Sequence, residues 1–125
     1  MRYILLVGHG NGCTGLKEST EMILGEQENL MAIPLFSNES PQDYMLRIKD
    51  AIKKAKENDF DEILILADLK GGTPCNISTI IVKEDSNLNL IAGYHLGMII
   101  MACTSGDLST DELIVNSNKL IEKIN

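Results

Sequence analysis

The chain has 125 residues, 44% of them hydrophobic and 23% charged, which is the size and composition of one globular domain. At this length roughly 68% of the surface exposed by the unfolded chain can be buried, so a core can form without disulfides or a structural metal. The 18 acidic side chains against 11 basic ones give a net charge of −7, and only 4% of residues are aromatic. That balance, with no Lys/Arg cluster, offers neither the electrostatic footprint nor the stacking platform of a nucleic-acid binder.

The opening MRYILLVGHG is apolar only from Tyr3 to Val7, too short for a signal peptide's apolar region and without a small-residue cleavage site. It reads as a mature first strand, and the expected location is cytoplasmic. The unbroken apolar run ending at Gly8 predicts a strand covered on both faces of a parallel sheet. Gly10, Asn11 and Gly12 turn the chain into a first helix with Leu16, Thr20, Ile23 and Leu24 on one face and Gly25 at its stop. Leu30 to Phe36 predicts a second strand, which Pro34 assigns to a sheet edge because proline cannot donate to a ladder. Ser40, Pro41 and Asp43 supply an N-cap, a first-turn proline and a first-turn acid. The helix they open carries the stripe Tyr44, Ile48, Ala51, Ile52 and Ala55, with Lys49, Lys53, Lys54 and Lys56 as a solvated face.

Ile63-Leu64-Ile65-Leu66, within Glu62 to Ala67, predicts a second central strand ending at Asp68. Thr73 as cap and Pro74 as opening residue predict a third helix with Ile77, Ile80 and Ile81 facing inward, although its β-branched content also suits a strand. Leu88 to Ala92 is a fourth strand followed by Gly93, and Leu96 to Ala102 a short buried helical segment. Ser109 with Glu112 forms a capping box for a last helix lined by Leu113, Leu120, Ile121 and Ile124. We therefore expect one α/β domain over residues 1–125, three-layer α/β/α, around an open, mainly parallel sheet of about four strands in the order 2-1-3-4 with right-handed crossovers.

In such sheets ligands bind beyond the carboxyl ends of the strands, where the strand order reverses. His9 ends the first strand and Asp68 the third, so adjacent strands would bring them out side by side. Either residue alone could be an ordinary polar loop or turn residue. The glycines flanking His9 strip away neighbouring side chains and open the imidazole to a bulky anion, while an adjacent carboxylate would fix its tautomer and leave the other nitrogen nucleophilic. Gly71, Gly72 and Thr73 precede a helix start, where backbone N–H groups and the helix dipole favour an anion. The spacing is not that of a P-loop, so a phosphoryl group carried on a side chain fits better than a bound nucleotide. Cys13, Cys75 and Cys103 are odd in number and form no CxxC, which reads as reduced, packed thiols and no zinc site. His95 could be a turn histidine or a group supporting the site.

Tyr3 to Gly10, Gly15-Leu16-Lys17 through Leu24 to Asn29, and Asp68-Leu69-Lys70-Gly71-Gly72-Thr73-Pro74-Cys75-Asn76, with the later Ile91-Ala92-Gly93, together resemble the IIA domain of the mannose family of the bacterial phosphoenolpyruvate-dependent sugar phosphotransferase system. The likeness runs from residue 3 to about residue 115. It implies a phosphohistidine intermediate: His9 accepts a phosphoryl group from the phosphocarrier HPr and passes it to a IIB domain during sugar uptake by the membrane permease subunits. It also implies that Asp68 bonds the imidazole and that Gly10, Gly71, Gly72 and Thr73 hold the phosphoryl group, with no metal or organic cofactor. The sugar itself is not specified.

Two departures stand out. Family members commonly have an Asn-apolar-Pro turn after the fourth strand, where this chain reads His95-Leu96-Gly97. Relatives often continue past this chain's Asn125 into an edge strand exchanged between two subunits, so a homodimer is left open. The nearest rival is the phosphotransfer subunit of a bacterial dihydroxyacetone kinase, disfavoured by Gly10 where serine is usual. A flavodoxin-like regulatory module would use Asp68 as acceptor, and the acidic pair that would hold its magnesium is missing after the first strand.

Overall fold

A computed structural model describes residues 1–125 as β1 (Arg2–His9), α1 (Gly12–Leu24), β2 (Leu30–Leu35), α2 (Pro41–Lys56), β3 (Glu62–Ala67), α3 (Thr73–Lys83), β4 (Leu88–Ala92), α4 (Leu96–Thr104) and α5 (Thr110–Asn118). The four strands form one parallel sheet in the order β2-β1-β3-β4. Ile4, Leu5, Leu6 and Val7 of β1 are all fully buried, as are Leu64, Ile65 and Leu66 of β3, which is why these two strands carry unbroken apolar runs. β2 lies at the edge, with Pro34 opposite Gly8. The reversal of strand order falls between β1 and β3, because β2 is laid down to one side of β1 and β3 to the other.

Alternating residues of the strands feed two cores. Leu5, Val7, Ile63 and Ile65 pack against Tyr44, Ile48 and Ala51 of α2 and Ile77 and Ile81 of α3. Ile4, Leu6, Leu64 and Leu66 pack on the other face against Cys13 of α1, Met98 and Ile99 of α4 and Leu113 of α5. The three layers and the strand order match the expectation from sequence. The third helical segment is helix, not strand, and its buried stripe also includes Pro74 and Ser78.

The local signals at most helix ends hold. Ser40 accepts from the Asp43 N–H at 3.1 Å with Pro41 in the first turn, Ser109 and Glu112 form the reciprocal capping box, and Gly25 ends α1 at φ +83°. Thr73 is a correction: the N-cap of α3 is Gly72, Thr73 is already helical, and no side-chain cap forms. Three apolar assignments also fail. Ile23 and Ile80 are 58% and 48% exposed, just off the buried stripes of their helices. α5 ends at Asn118, so Leu120, Ile121 and Ile124 do not continue its inner face and are 55%, 71% and 88% exposed.

Tyr44, fully buried on α2, donates its hydroxyl proton to the Ile33 carbonyl at 2.6 Å, tying α2 to the edge strand near the sheet's carboxyl end. Tyr44→Phe keeps the ring packing and leaves a buried carbonyl short of its donor. Urea unfolding should then show a loss of about 1–3 kcal/mol.

Candidate functional site

Register fixes the meeting of His9 and Asp68. Val7 stands opposite Ala67, so the next residues of β1 and β3 emerge together, and the Asp68 N–H still donates to the Val7 carbonyl at 3.2 Å. Asp68 Oδ2 accepts from the His9 backbone N–H at 2.9 Å and lies 2.9 Å from the ring Nδ1. A carboxylate facing Nδ1 assigns the ring proton to that atom and leaves Nε2 with its lone pair free. The His9 side chain is 49% exposed and that of Asp68 30% exposed, so the imidazole faces solvent while the carboxylate is partly sheltered.

The glycines serve separate purposes. A Cβ on Gly8 would lie 3.1 Å from Asp68 Oδ2, 3.2 Å from its Cγ and 3.3 Å from the Tyr94 hydroxyl. The space freed at Gly8 is thus taken by the carboxylate reaching toward His9 and by Tyr94, not by an incoming anion. Gly10 turns the chain at φ +57°, with its N–H donating to the Leu35 carbonyl at 2.8 Å. Gly71 has φ +86° and open space around it, whereas Gly72 has an ordinary φ of −77°. What Gly72 cannot accept is bulk: a Cβ there would stand 2.8 Å from His9 Cε1 and 3.4 Å from Nε2.

Gly72 therefore sets the start of α3 against the free edge of the imidazole. The first amides of a helix lack partners within it, and Pro74 contributes none. The Asn76 N–H already donates to the Gly72 carbonyl at 2.9 Å, which leaves the amides of Thr73 and Cys75, together with the uncommitted Thr73 hydroxyl, as donors at the positive end of the helix dipole. His9, Gly10 and Thr73 share a cleft of about 490 Å³ whose other wall is the loop after β2, with Phe36, Ser37 and Glu39. Arg47 braces that loop, donating to the Pro34 carbonyl at 2.9 Å and to Glu39 Oε1 at 2.8 Å, with its guanidinium 4.8 Å from the centre of the Phe36 ring. Gly71 and Gly72 stand outside the residues lining that cleft.

Glu39, Arg47 and Tyr94 escape a reading of the sequence, since a loop acid, a helix-face arginine and an aromatic after a strand each have ordinary explanations. The one available signal for Tyr94 is its place just beyond β4, in the row of strand ends that also holds His9 and Asp68. Burial pushes its phenol up from the usual value, with smaller contributions from Cys13 and Asp68. His95 is the N-cap of α4, folded over Gly97, and is not among the residues lining the His9 cleft. Burial likewise pushes the Cys13 thiol up, and raises Cys103 to about 11, so both are packed protonated thiols.

A parallel sheet that presents a carboxylate-bound histidine at its switch point, facing a helix N-terminus, defines an α/β protein with a half-exposed imidazole set against the start of a helix. The family described as the PTS system fructose IIA component matches residues 3–117. The fructose-specific EIIA component of the PTS in Bacillus subtilis is 36% identical over 97 residues, 78% of this chain, which spans 65% of that relative's length. The sorbose-specific EIIA component of Lacticaseibacillus casei is 32% identical over 121 residues, covering 96% of this chain and 86% of the relative. The crystal structure of phosphotransferase system component EIIA from Streptococcus agalactiae aligns with a TM-score of 0.86 at 30% identity, covering 98% of this chain and 97% of that one. The chain belongs to the mannose-type IIA family of the sugar phosphotransferase system. No helix is long and apolar enough to cross a membrane.

Gly71 and Gly72 should separate experimentally. Gly72→Ala displaces the mobile end of an imidazole and leaves the backbone unstrained, so its thermal midpoint should stay near wild type while the His9 ring resonances shift. Gly71→Ala forces a side chain into positive φ and should lose about 1 kcal/mol in chemical denaturation with the His9 resonances unmoved.

Proposed function

We propose that the protein is a phosphoryl carrier in sugar uptake, taking the group from HPr onto His9 Nε2 and handing it to a IIB domain associated with membrane permease subunits. The single observation that carries this reading is the bond between His9 Nδ1 and Asp68 Oδ2 at 2.9 Å, with Nε2 turned to the start of α3. The Nε2 lone pair attacks phosphorus, an N–P bond forms, and the bond to the donor's carrier atom breaks with its electron pair leaving on that atom. Positive charge develops on the imidazole, where Asp68 stabilises it. The phosphoryl oxygens lie against the amides of Thr73 and Cys75 and the Thr73 hydroxyl, with the Gly10 and Gly71-Gly72 turns giving backbone access. Transfer onward is the same step reversed with a new acceptor. Phosphoryl transfer asks a protein mainly for positioning and charge stabilisation, and this arrangement offers both.

Incubation with phosphoenolpyruvate, the general first enzyme of the system and HPr should add one acid-labile, base-stable phosphoryl group, read as a mass increase under mildly alkaline conditions. His9→Ala should abolish it, and a label that persists on that variant refutes the assignment. Asp68→Asn preserves shape without charge and should slow transfer about 10²- to 10⁴-fold. Because Thr73 is not a cap, Thr73→Ala should leave the thermal midpoint essentially unchanged while altering the rate of transfer or of phosphohistidine hydrolysis. Wild-type rates in that variant would remove its hydroxyl from the phosphoryl site.

A further inference from the structure

Phe36 and Leu69 are large apolar residues left 51% and 59% exposed, on the loops that follow β2 and β3. Those strands lie on either side of β1, so the two residues flank the strand that ends in His9. Phe36 also lines the His9 cleft, and its ring is anchored although it is exposed. The loop closes on itself, with the Glu39 N–H donating to the Phe36 carbonyl at 3.0 Å and the Phe36 N–H donating to Glu39 Oε1 at 3.3 Å. The Arg47 guanidinium lies 4.8 Å from the centre of the Phe36 ring and 5.9 Å from that of Tyr44, which is fully buried. It thus links the exposed ring to a ring of the core. Its bonds to the Pro34 carbonyl and to both oxygens of Glu39, at 2.8 to 3.0 Å, hold it in place.

The cleft itself gives an incoming phosphoryl donor little charge to bind. Its one carboxylate, Glu39, is paired with Arg47, and no lysine or arginine lines it. Affinity for the donor must then come from contact with the body of the donor and not from a grip on its phosphoryl group. Aromatic side chains are the commonest anchors of protein interfaces, and one that is immobilised beforehand loses less entropy on binding.

We propose that Phe36 is the docking contact for the protein that delivers the phosphoryl group, a carrier whose phosphoryl-bearing residue rises from an apolar patch, and that Arg47 is the positioning residue that holds the ring for it. The inference rests on the phosphocarrier reading above and adds the residue on which the donor is recognised.

The test follows transfer from phosphorylated HPr, over a range of HPr concentrations, to wild type, Phe36→Ala, Arg47→Lys, the double variant and Met22→Ala. Met22 is 88% exposed in the last turn of α1, at the other end of the sheet, and controls for a general loss of apolar surface. Phe36→Ala should raise the half-saturating HPr concentration about tenfold, as expected for an interface anchor, with the maximal rate within about twofold of wild type. Arg47→Lys keeps the charge beside Glu39 but loses the flat group against Phe36, and should raise the same constant about threefold. Once Phe36 is alanine, Arg47→Lys should add nothing further. Met22→Ala should leave the constant unchanged. An unchanged constant in Phe36→Ala overturns the proposal, as does a fall in maximal rate alone, an equal rise in Met22→Ala, an Arg47→Lys effect that persists without the Phe36 ring, or a Phe36→Ala variant that fails to fold. If the wild type takes no phosphoryl group from HPr at any concentration, the carrier reading falls and this proposal with it, whereas saturable transfer that ignores Phe36 sinks this proposal alone.

Discussion

Asp68 Oδ2 accepts from two protons of one residue, the backbone N–H of His9 and its ring Nδ1–H. A single oxygen thus fixes both where β1 ends and how the imidazole is turned. The parallel register of β1 and β3 brings the carboxylate within reach, and the absence of a side chain on Gly8 lets it pass beneath β1. The two apolar cores then hold the strands so that neither partner has freedom to withdraw. Fixing a histidine tautomer in advance removes a conformational search from any reaction at Nε2, which is the main benefit a rigid scaffold can give to group transfer.

This geometry explains why the glycines cluster around the strand ends. At Gly10 and Gly71 the backbone takes positive φ. At Gly8 and Gly72 the backbone is unexceptional and the constraint is contact, with Asp68 and Tyr94 in one case and the His9 ring in the other. A sequence shows four glycines in two turns and does not say which constraint applies to which. Gly8 and Gly10 look equivalent on either side of His9, yet only Gly10 borders the cleft.

Much of the fold was legible because the strongest signals were local. Apolar runs without alternation marked β1 and β3 as central, Pro34 marked β2 as an edge, and Ser40 and Ser109 announced their helices through side-chain caps that form as read. The pairing of His9 with Asp68 followed from strand order alone. Thr73 was misread since a threonine before proline has the form of a cap, but the tight turn through Gly71 and Gly72 gives the cap position to Gly72 and moves Thr73 into the first helical turn. The tail from Leu120 to Ile124 was misread because α5 ends at Asn118, and Ile23 and Ile80 for a different reason. Periodicity predicts a face, and only the width of the facing layer decides which residues at its margin are covered. Tyr94 and the Arg47–Glu39 pair depend on contacts between distant segments, for which the sequence carries no periodic signal.

The electrostatics of the cleft bear on the proposed transfer of a phosphoryl group. The chain bears a net charge of −7, and the only formal charge lining the cleft besides a protonatable His9 is Glu39, which Arg47 neutralises. Favourable interaction with an anion must therefore come from the amides and dipole at the start of α3 and from the Thr73 hydroxyl, all of them neutral. A lysine or arginine placed about 4 Å from a phosphoryl oxygen would add about 1–4 kcal/mol of attraction, deepening the well by about one to three powers of ten in the transfer equilibrium. If the protein works as the phosphoryl carrier proposed above, it must release the group to its next acceptor at nearly the free energy at which it received it. Neutral donors stabilise the charge that develops in transit without making the phosphorylated state a trap, and the stabilising negative charge sits instead behind the imidazole, on Asp68, where it acts on the histidine and not on the cargo.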